Sequence, residues 1–448
     1  MKQGKTDLSA RHVIDWESPD FLDENIIDKE LRRVFDVCHT CRRCIMLCDS
    51  FPKLFDLIDE SESGELDSVD SADFKPVVDA CTLCDMCYIV SCPYVPPHEY
   101  ALDFPHLMVR YRALETSKGE TSFFERQLGE TDRNGKLAGP VAPLANWASD
   151  RKNSLTRPIM ESVAGIHRDA SLPKYHSKTF SKRSKANPPI VDMKAPAAGR
   201  KAVIYSTCFV EYNNPGLGVA AQGVLAKNGV ETEVVYPTCC GMPQLERGDI
   251  ENVVERAKTV AAELSAWIDK GYDVVTLVPS CALTLKMEWP LHVPDDLNVK
   301  KLADNTSDIA EYVVAIARNE GLAEGLEPIE GGVALHLACH ARAQNIGAKA
   351  AVMLRLIPKC NVMVMQRCSG HGGSWGVMKD NFEVGMKVGE NVMKQAAQSG
   401  RPYLASECPL AGDHIIQGME PFLEDDKPSA KMSHHPIELF AMSYGIQY

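Results

Sequence analysis

The sequence predicts a multidomain protein of the α plus α/β class, with a helical domain followed by a tandem repeat of parallel α/β domains. A chain of 448 residues is too long for one ordinary core. Of its 16 cysteines, eight lie before residue 93 and eight after residue 207, which indicates two separate cysteine modules. The second module contains the same order of apolar runs and cysteines twice. The predicted bounds are 1–100 for the helical domain, 101–198 for a connector with helical segments, and 199–325 and 326–448 for the two repeats.

The composition is that of a globular protein. Apolar residues make up 45% and charged residues 24% of the chain, close to globular averages. No apolar run reaches the roughly 18 residues that a membrane span requires, and the first residues contain no apolar stretch of the kind that directs export. We therefore expect a cytoplasmic protein whose cysteines serve metal or redox chemistry rather than structural disulfides.

Charge is distributed unevenly along the chain. Residues 1–100 contain 21 acidic and 10 basic side chains, a net charge of −11. We expect no nucleic-acid partner, because a polyanion requires a basic face. Residues 151–200 contain 11 basic and 3 acidic side chains, a net charge of +8. Such a stretch indicates either peripheral contact with the cytoplasmic face of a membrane or a solvated linker, and the sequence leaves both open.

The first module carries two cysteine motifs with the spacing of iron–sulfur cluster ligands. The motifs are C-x2-C-x2-C-x3-C, at Cys38, Cys41, Cys44 and Cys48, and C-x2-C-x2-C-x4-C-P, at Cys81, Cys84, Cys87 and Cys92. Three cysteines at this spacing wrap one [4Fe-4S] cube while the fourth reaches the other cube, as in two-cluster ferredoxins. A pair of structural zinc sites would leave the middle cysteine of each triplet unexplained. We therefore assign one cluster to Cys38, Cys41, Cys44 and Cys92, and the other to Cys81, Cys84, Cys87 and Cys48.

Two local patterns describe the secondary structure of this module. Apolar residues recur at helical spacing just before the first motif, at Ile26, Ile27, Leu31, Val34 and Phe35, which predicts a helix leading into it. Between the motifs, residues 56–74 are acidic and poor in apolar side chains, which predicts a solvated loop.

In the second module, predicted strands are followed directly by cysteines. These are Cys208, Cys239, Cys240 and Cys281 in the first repeat, and Cys339, Cys368 and Cys408 in the second. Equivalent positions are 131, 129 and 127 residues apart. Strands that alternate with helices form parallel sheets, which bind ligands beyond the carboxyl ends of their strands. The sequence therefore predicts a metal or cluster centre in each repeat, whereas Cys360, which precedes a strand, is predicted to be a structural thiol.

The two repeats differ in their candidate ligands. The first reads Cys-Cys-Gly from Cys239, whereas the second reads Cys-Ser-Gly from Cys368 and retains three cysteines. Four histidines flank these cysteines: His336, His340, His371 and His414. One of them could be the fourth ligand of a zinc site or a further iron–sulfur centre, and we assign His340 and His371 as the candidates. A histidine at such a place also serves as an ordinary hydrogen-bonding residue, and both alternatives stay open.

These motifs and their surroundings resemble a known family. The resemblance is carried by DFPHLMVRYRA (103–113), TCCGMPQLERGD (238–249), HLACHARAQNIG (336–347) and ECPLAGDHIIQGM (407–419), among other segments. They are similar to the C subunits of anaerobic glycerol-3-phosphate dehydrogenases, which are heterodisulfide-reductase-related iron–sulfur subunits with cysteine-rich CCG domains. The resemblance implies electron transport in anaerobic respiration. It implies passage of electrons between a flavoprotein dehydrogenase, or a rubrerythrin-like di-iron protein, and an acceptor such as membrane quinone.

Two other functions are compatible with this domain order. A heterodisulfide or thiol reductase of the resembled type looks to need a C-x-x-C pair in each repeat, and neither Cys281 nor Cys408 has a second cysteine three residues away. A cluster-bearing redox sensor would usually add an output domain, and no such motif is evident. An assembly scaffold would not require the eight regularly spaced ligands of the first module. Since no hydride-handling cofactor site is evident either, we expect an oxidoreductase subunit that is not catalytically complete alone, with no catalytic residue of its own.

Overall fold

The first part of the chain is a helical bundle around α1 (Glu24–Cys41). The computed structural model describes residues 11–424 and 427–448. The predicted apolar stripe buries Ile27, Leu31 and Val34, while Ile26 lies at its border and is 38% exposed. Asp23 caps the start of the helix by accepting the N–H groups of residues 25 and 26. The other helices of the bundle are α2 (Ser50–Asp59), α3 (Lys75–Asp79) and α4 (Phe104–Ser117), with short turns at Pro19–Leu22, Leu66–Ser68, Ser71–Phe74 and Cys87–Ser91.

The prediction of a solvated loop for residues 56–74 is wrong in part. Leu66, Val69 and Phe74 are buried, and α2 continues to Asp59. The ring of Phe74 packs edge-on against Phe35, with ring centroids 5.2 Å apart. Three apolar anchors at irregular spacing leave no periodic signal in an acidic sequence, and for that reason the pattern did not reveal them.

The connector folds into five short helices that contact both repeats. Helices α6 and α9 pack on the first repeat, and Ile166 forms an antiparallel bridge with Met378 of the second. The buried Arg157 guanidinium donates to the carbonyls of His167 at 2.6 Å and Ala170 at 2.7 Å, which orders the chain between α8 and α9. The helices are α5 (Phe123–Gly129), α6 (Thr131–Ala138), α7 (Ala142–Ser149), α8 (Thr156–Ala164) and α9 (Phe180–Ala186).

The first repeat is a four-stranded parallel sheet in the order β2-β1-β3-β4. The strands are β1 (Lys201–Tyr205), β2 (Glu231–Val235), β3 (Asp273–Thr276) and β4 (Thr306–Asp308). Near-continuous burial of β1 and β3 reflects helices on both faces of the sheet. The helices are α10 (Cys208–Tyr212), α11 (Pro215–Lys227), α12 (Met242–Glu246), α13 (Ile250–Ile268), α14 (Pro279–Leu283), a π-helical turn (Thr284–Glu288), α15 (Trp289–His292), α16 (Leu297–Asn305) and α17 (Ile309–Asn319).

The second repeat has the same topology, with the strand order β6-β5-β7-β8 and all neighbours parallel. The predicted fold class, a helical domain followed by two parallel α/β repeats, is therefore confirmed. The strands are β5 (Val333–His336), β6 (Val362–Met365), β7 (Tyr403–Ser406) and β8 (Ser433–His434). The helices are α18 (Cys339–Ala343), α19 (Lys349–Leu354), α20 (Phe382–Gln398), α21 (Pro409–Met419) and α22 (Pro436–Ser443), with short turns at Trp375–Val377 and Glu420–Phe422.

The two repeats exchange their last helices. Helix α17, which ends the first repeat, packs on α19 of the second, and its counterpart α22 packs on α11 of the first. Tyr444, just after α22, donates its hydroxyl to the carbonyl of Ala323 at 2.9 Å, and Ser443 donates to the carbonyl of Glu327 at 2.6 Å. The repeats therefore share one continuous core and fix each other's orientation.

We expect Phe440→Ala to destabilise both repeats together. Phe440 is fully buried on α22, and removing such a side chain costs about 3–5 kcal/mol. The measurement is thermal unfolding of the anaerobic protein beside Met442→Ala, whose side chain is 38% exposed on the same helix. Equal unfolding midpoints for the two variants would contradict the exchanged packing.

Candidate metal centres

The first predicted ligand set, here called site A, consists of Cys38, Cys41, Cys44 and Cys92. Cys38 and Cys41 lie on the last turn of α1, where Arg42 adopts a φ of 51° and turns the chain toward Cys44. Cys92 arrives from the second motif directly after the π-helical turn Cys87–Ser91. All four cysteines line a single cavity, which Phe51 and Leu102 also line.

The pKa values of the site A thiols reflect their burial and their closeness to one another. Burial, followed by the nearby sulfurs of Cys92, Cys44 and Cys41, raises the pKa of the Cys38 thiol. Burial, followed by Cys92 and Cys41, raises the pKa of Cys44 to about 12. Such thiols ionise only when a cation balances the thiolate charge, as coordinated iron does. The structure thus brings together the crossed set of cysteines that the spacing predicts.

Site B consists of Cys48, Cys81, Cys84 and Cys87, the second predicted set. Burial, followed by the neighbouring Cys81, raises the pKa of Cys48 to about 12, while N–H groups at the start of α2 point at its sulfur. Burial raises the pKa of Cys87 well above its usual value, and the sulfurs of Cys84, Cys81 and Cys48 add to this effect. Cys44 of site A also acts on Cys87, so sites A and B are neighbours.

The loop of site B has an unusual backbone that buried charges support. Leu83 and Asp85, on either side of Cys84, both adopt positive φ angles, of 48° and 60°. The Arg11 guanidinium donates to the Asp85 carboxylate at 3.2 Å and to Asp103 at 2.7 Å. Glu288, from the first repeat, lies 3.6 Å from the same guanidinium. One buried arginine therefore ties the site B loop to α4 and to the first repeat.

Site C is the cysteine set of the first repeat: Cys208, Cys239, Cys240 and Cys281. The sulfurs of Cys208 and Cys239 are 3.6 Å apart, and those of Cys240 and Cys281 are 3.2 Å apart. Hydrogen bonding within the first pair lowers the pKa of Cys239 and raises that of Cys208. Each cysteine lies beyond the carboxyl end of β1, β2 or β3, at the edge where parallel sheets bind ligands.

A carboxylate from the connector supports site C, and no sequence motif pointed to it directly. Asp132, on α6, accepts the N–H of Cys239 at 3.1 Å and the Thr238 hydroxyl at 2.8 Å. It also accepts the Tyr236 hydroxyl and forms an ion pair with Arg256 at 2.7 Å. The sequence signal is limited to an acidic residue in the first turn of a helix, which suits the helix dipole but does not identify a binding partner.

Thr131, next to Asp132, carries an unsatisfied group at site C. Its hydroxyl oxygen is buried and has no partner at hydrogen-bond geometry among the described residues. It lies close enough to Cys208 and Cys239 to favour the ionised form of both thiols. A buried hydroxyl aimed at a thiol set fits a bound group that offers it an acceptor.

Site D is the smaller set of the second repeat: Cys339, Cys368 and Cys408. Burial, followed by the nearby Cys368 and Cys408, raises the pKa of Cys339. The N–H of Gly370 donates to the Cys368 sulfur at 3.3 Å, and burial raises the pKa of Cys408 to about 11. The structure thus places the three predicted cysteines of this repeat close to one another.

The two candidate histidine ligands differ in their surroundings. Both ring nitrogens of His340 are engaged, since Nδ1 lies 2.8 Å from Ser280 Oγ and Nε2 lies 3.1 Å from the Leu83 carbonyl. His371 packs edge-on against His414, with ring centroids 5.6 Å apart. The Nε2 atom of His414 is buried without a partner among the described residues, so an unsatisfied nitrogen lies in this region.

Sites B and D are also neighbours. Burial raises the pKa of Cys84 well above its usual value, and the next contributions come from Cys339, Cys48 and Cys368. Cys84 therefore lies between a thiol of its own set and two thiols of the second repeat. The electrostatic effect of Cys44 on Cys87 links site A in the same way, so thiols form a row from site A through site B to site D. Cys92, Cys84 and Cys339, one from each of these sites, pack against the same apolar cluster.

The donor chemistry of these sets suits iron–sulfur clusters. Soft thiolate donors favour such clusters and zinc over harder cations. Across residues 11–424 and 427–448, no group of three or more His, Cys, Asp or Glu side chains is arranged to hold a single metal ion.

We expect Asp132→Asn to lower the iron content of site C while sites A and B keep theirs. One amide oxygen cannot accept the four donors that now converge on the carboxylate, and each buried donor left unpaired costs about 1–3 kcal/mol. Iron and sulfide analysis with EPR, beside the exposed connector variant Asp169→Asn, measures the effect. A full iron complement in Asp132→Asn would rule out this supporting role.

Comparison with family models identifies three matched regions. Residues 30–118 match the citrate utilization protein B Fer4-like domain. Residues 202–286 and 333–411 each match the cysteine-rich domain. These matches support iron–sulfur clusters in the chain.

Curated relatives are oxidoreductase and substrate-utilization proteins. The chain is 26% identical over 321 residues to the C subunit of anaerobic glycerol-3-phosphate dehydrogenase from Escherichia coli, covering 70% of this chain and 76% of the relative. It is 25% identical over 231 residues to the B subunit of fumarate reductase (CoM/CoB) from Methanothermobacter marburgensis, covering 50% and 43%. It is 28% identical over 221 residues to lactate utilization protein A of Bacillus cytotoxicus, covering 46% and 87%. The chain thus combines a Fer4-like domain with two cysteine-rich domains and resembles the C subunit of anaerobic glycerol-3-phosphate dehydrogenase over most of its length.

Proposed function

We propose that this protein is an iron–sulfur electron-transfer subunit. It would pass electrons between a flavoprotein dehydrogenase or rubrerythrin-like partner and an acceptor such as membrane quinone. The observation that carries this proposal is the row of thiols from site A through site B to site D, because electron transfer requires closely spaced redox centres. The relatives from Escherichia coli and Methanothermobacter marburgensis are both named as subunits, which supports a partner-dependent role.

In this proposal, site A and site B each hold one [4Fe-4S] cluster, and site C and site D hold further centres. A bound cluster of this type takes up or releases a single electron. The protein's own part is to hold the thiolates, exclude water and donate backbone hydrogen bonds to sulfur, which tune the potential. The N–H groups that point at Cys48 and Cys368 have this role.

The surface beside site A suits a redox partner. Ile45, Met46 and Val90 are 44%, 88% and 41% exposed, and each lies between two cysteines of a cluster motif. Electron-transfer partners associate through small, transient interfaces. Exposed apolar side chains next in sequence to cluster ligands would give such a partner a short path without a large binding surface.

The connector supports contact with a lipid surface. On α7, Leu144 and Trp147 are 62% and 54% exposed, and on the adjacent α8, Ile159 and Val163 are 63% and 58% exposed. Clustered exposed apolar side chains with basic neighbours are typical of interfacial helices. In the described ranges, none of the helices is long and apolar enough to cross a membrane. Because α6 leads from site C to α7, this face would bring site C close to a quinone dissolved in lipid.

We expect the first module to bind about eight iron atoms, and Cys38→Ser and Cys81→Ser each to remove about four of them. Cys38→Ser should disturb the EPR signals of site A, and Cys81→Ser those of site B. Cys360→Ser is the matched control, since burial alone raises the pKa of this half-buried thiol and no other thiol contributes. Stoichiometric zinc without cluster signals would refute the assignment.

We expect the full-length protein to cosediment with phosphatidylglycerol vesicles at low salt. Leu144→Glu combined with Ile159→Glu should weaken this binding at least about tenfold, because each buried aliphatic side chain contributes about 1.5–3 kcal/mol. Leu297→Glu, at a position 79% exposed in the first repeat, is the control. Salt should release part of the binding by screening the basic residues. Failure of the unmodified protein to bind, or equal binding by all variants, would exclude the lipid surface.

A further inference from the structure

His340 joins three segments that carry candidate ligands. Its Nε2 faces the Leu83 carbonyl at 3.1 Å, and because a carbonyl only accepts, Nε2 donates. Its Nδ1, 2.8 Å from Ser280 Oγ, therefore accepts the serine hydroxyl. A neutral imidazole satisfies both partners, and the ring is buried.

Each residue of this chain of hydrogen bonds is next to a candidate cysteine. Leu83 precedes Cys84 of site B, Ser280 precedes Cys281 of site C, and His340 follows Cys339 of site D. Helices α14 and α18, which carry Ser280 and His340, pack against each other. One side chain thus contacts the supports of three candidate centres that belong to three parts of the chain.

The Leu83 carbonyl belongs to a residue with an unfavourable backbone conformation. Leu83 adopts a φ of 48°, which a branched side chain rarely adopts, and it is buried. Such a conformation persists only when surrounding contacts hold it. The hydrogen bond from His340 supplies one such contact, from a different domain.

We propose that His340 is a positioning residue, not a metal ligand, and that its two hydrogen bonds hold the Cys84 loop and the Cys281 helix against the second repeat. These contacts fix the separation of sites B, C and D. The positioning role does not require the proposed function. Its consequence does, because the fixed separation would set how readily an electron crosses between these centres.

The experiment compares His340→Gln and His340→Leu in the cluster-loaded full-length protein. Glutamine offers one donor and one acceptor and should keep both hydrogen bonds, whereas leucine removes both. We expect both variants to keep the iron content of the unmodified protein. We expect backbone hydrogen exchange in residues 81–87 and 279–283 to accelerate at least about tenfold in His340→Leu and to stay near the unmodified rate in His340→Gln.

A matched control and a milder variant complete the test. His336 is also buried, but its ring nitrogens contact Ser406 Oγ at 2.9 Å and the Arg367 carbonyl at 3.2 Å, both within the second repeat. His336→Leu should therefore leave exchange in residues 81–87 unchanged. Should His340→Leu fail to fold, Ser280→Ala removes a single hydrogen bond and should accelerate exchange in residues 279–283.

The outcomes separate this inference from the proposed function. Loss of iron in both His340 variants would show a ligand and overturn the inference, as would unchanged exchange of residues 81–87 in His340→Leu. EPR of the reduced protein adds a second readout, since the magnetic interaction between centres should change in His340→Leu but not in His340→Gln. A protein that shows these effects but exchanges electrons with no partner would refute the proposed function and leave the positioning role intact.

Discussion

The structure depends on the gathering of thiols close to one another at sites where, apart from the exposed Cys368, they are half-buried or buried. Within site A, burial and the neighbouring sulfurs both raise the pKa of Cys38, so the protein alone favours protonated thiols. Binding of iron reverses this balance, because the metal supplies positive charge where the protein has little. In the proposed cluster-loaded protein, cluster binding would therefore be coupled to folding of the short turns around the cysteines.

The pattern of the sequence was enough to predict features that repeat or follow one another along the chain. Helix α1, the strand-end cysteines and the doubled sheet all have local periodic signals. The crossed ligand sets rest on the spacing of the two motifs, and the structure brings the same thiols together. The support of site C could not be found this way, because Asp132 meets Cys239 across 107 residues and belongs to a segment with no metal-binding pattern. His340 was predicted as a candidate ligand or an ordinary hydrogen-bonding residue, and spacing carries no information on whether its nitrogens face a metal or a carbonyl.

The exchanged helices α17 and α22 hold the two repeats together, although the repeats differ in their cysteine sets. Each repeat completes the core of the other, and Cys239, Cys240 and Cys281 of site C are part of that shared core. The first repeat keeps four cysteines and receives support from the connector. The second keeps three and lies against site B, with Cys339 near Cys84. Two similar sheets thus carry different cysteine sets at two places in the proposed arrangement of centres.

The buried ion pairs of Arg11 also bear on the order in which contacts form during synthesis of the chain. Its partner Glu288 lies more than half the chain further on, so a ribosome completes the first domain long before that carboxylate exists. During that interval Arg11 can pair only with Asp85 and Asp103, and the loop around Cys84 lacks the contacts from both repeats. At that stage the site B loop has fewer of the contacts that cover it in the complete fold. The contacts that Glu288 and His340 make with the site B region therefore form only after most of the chain has been synthesised.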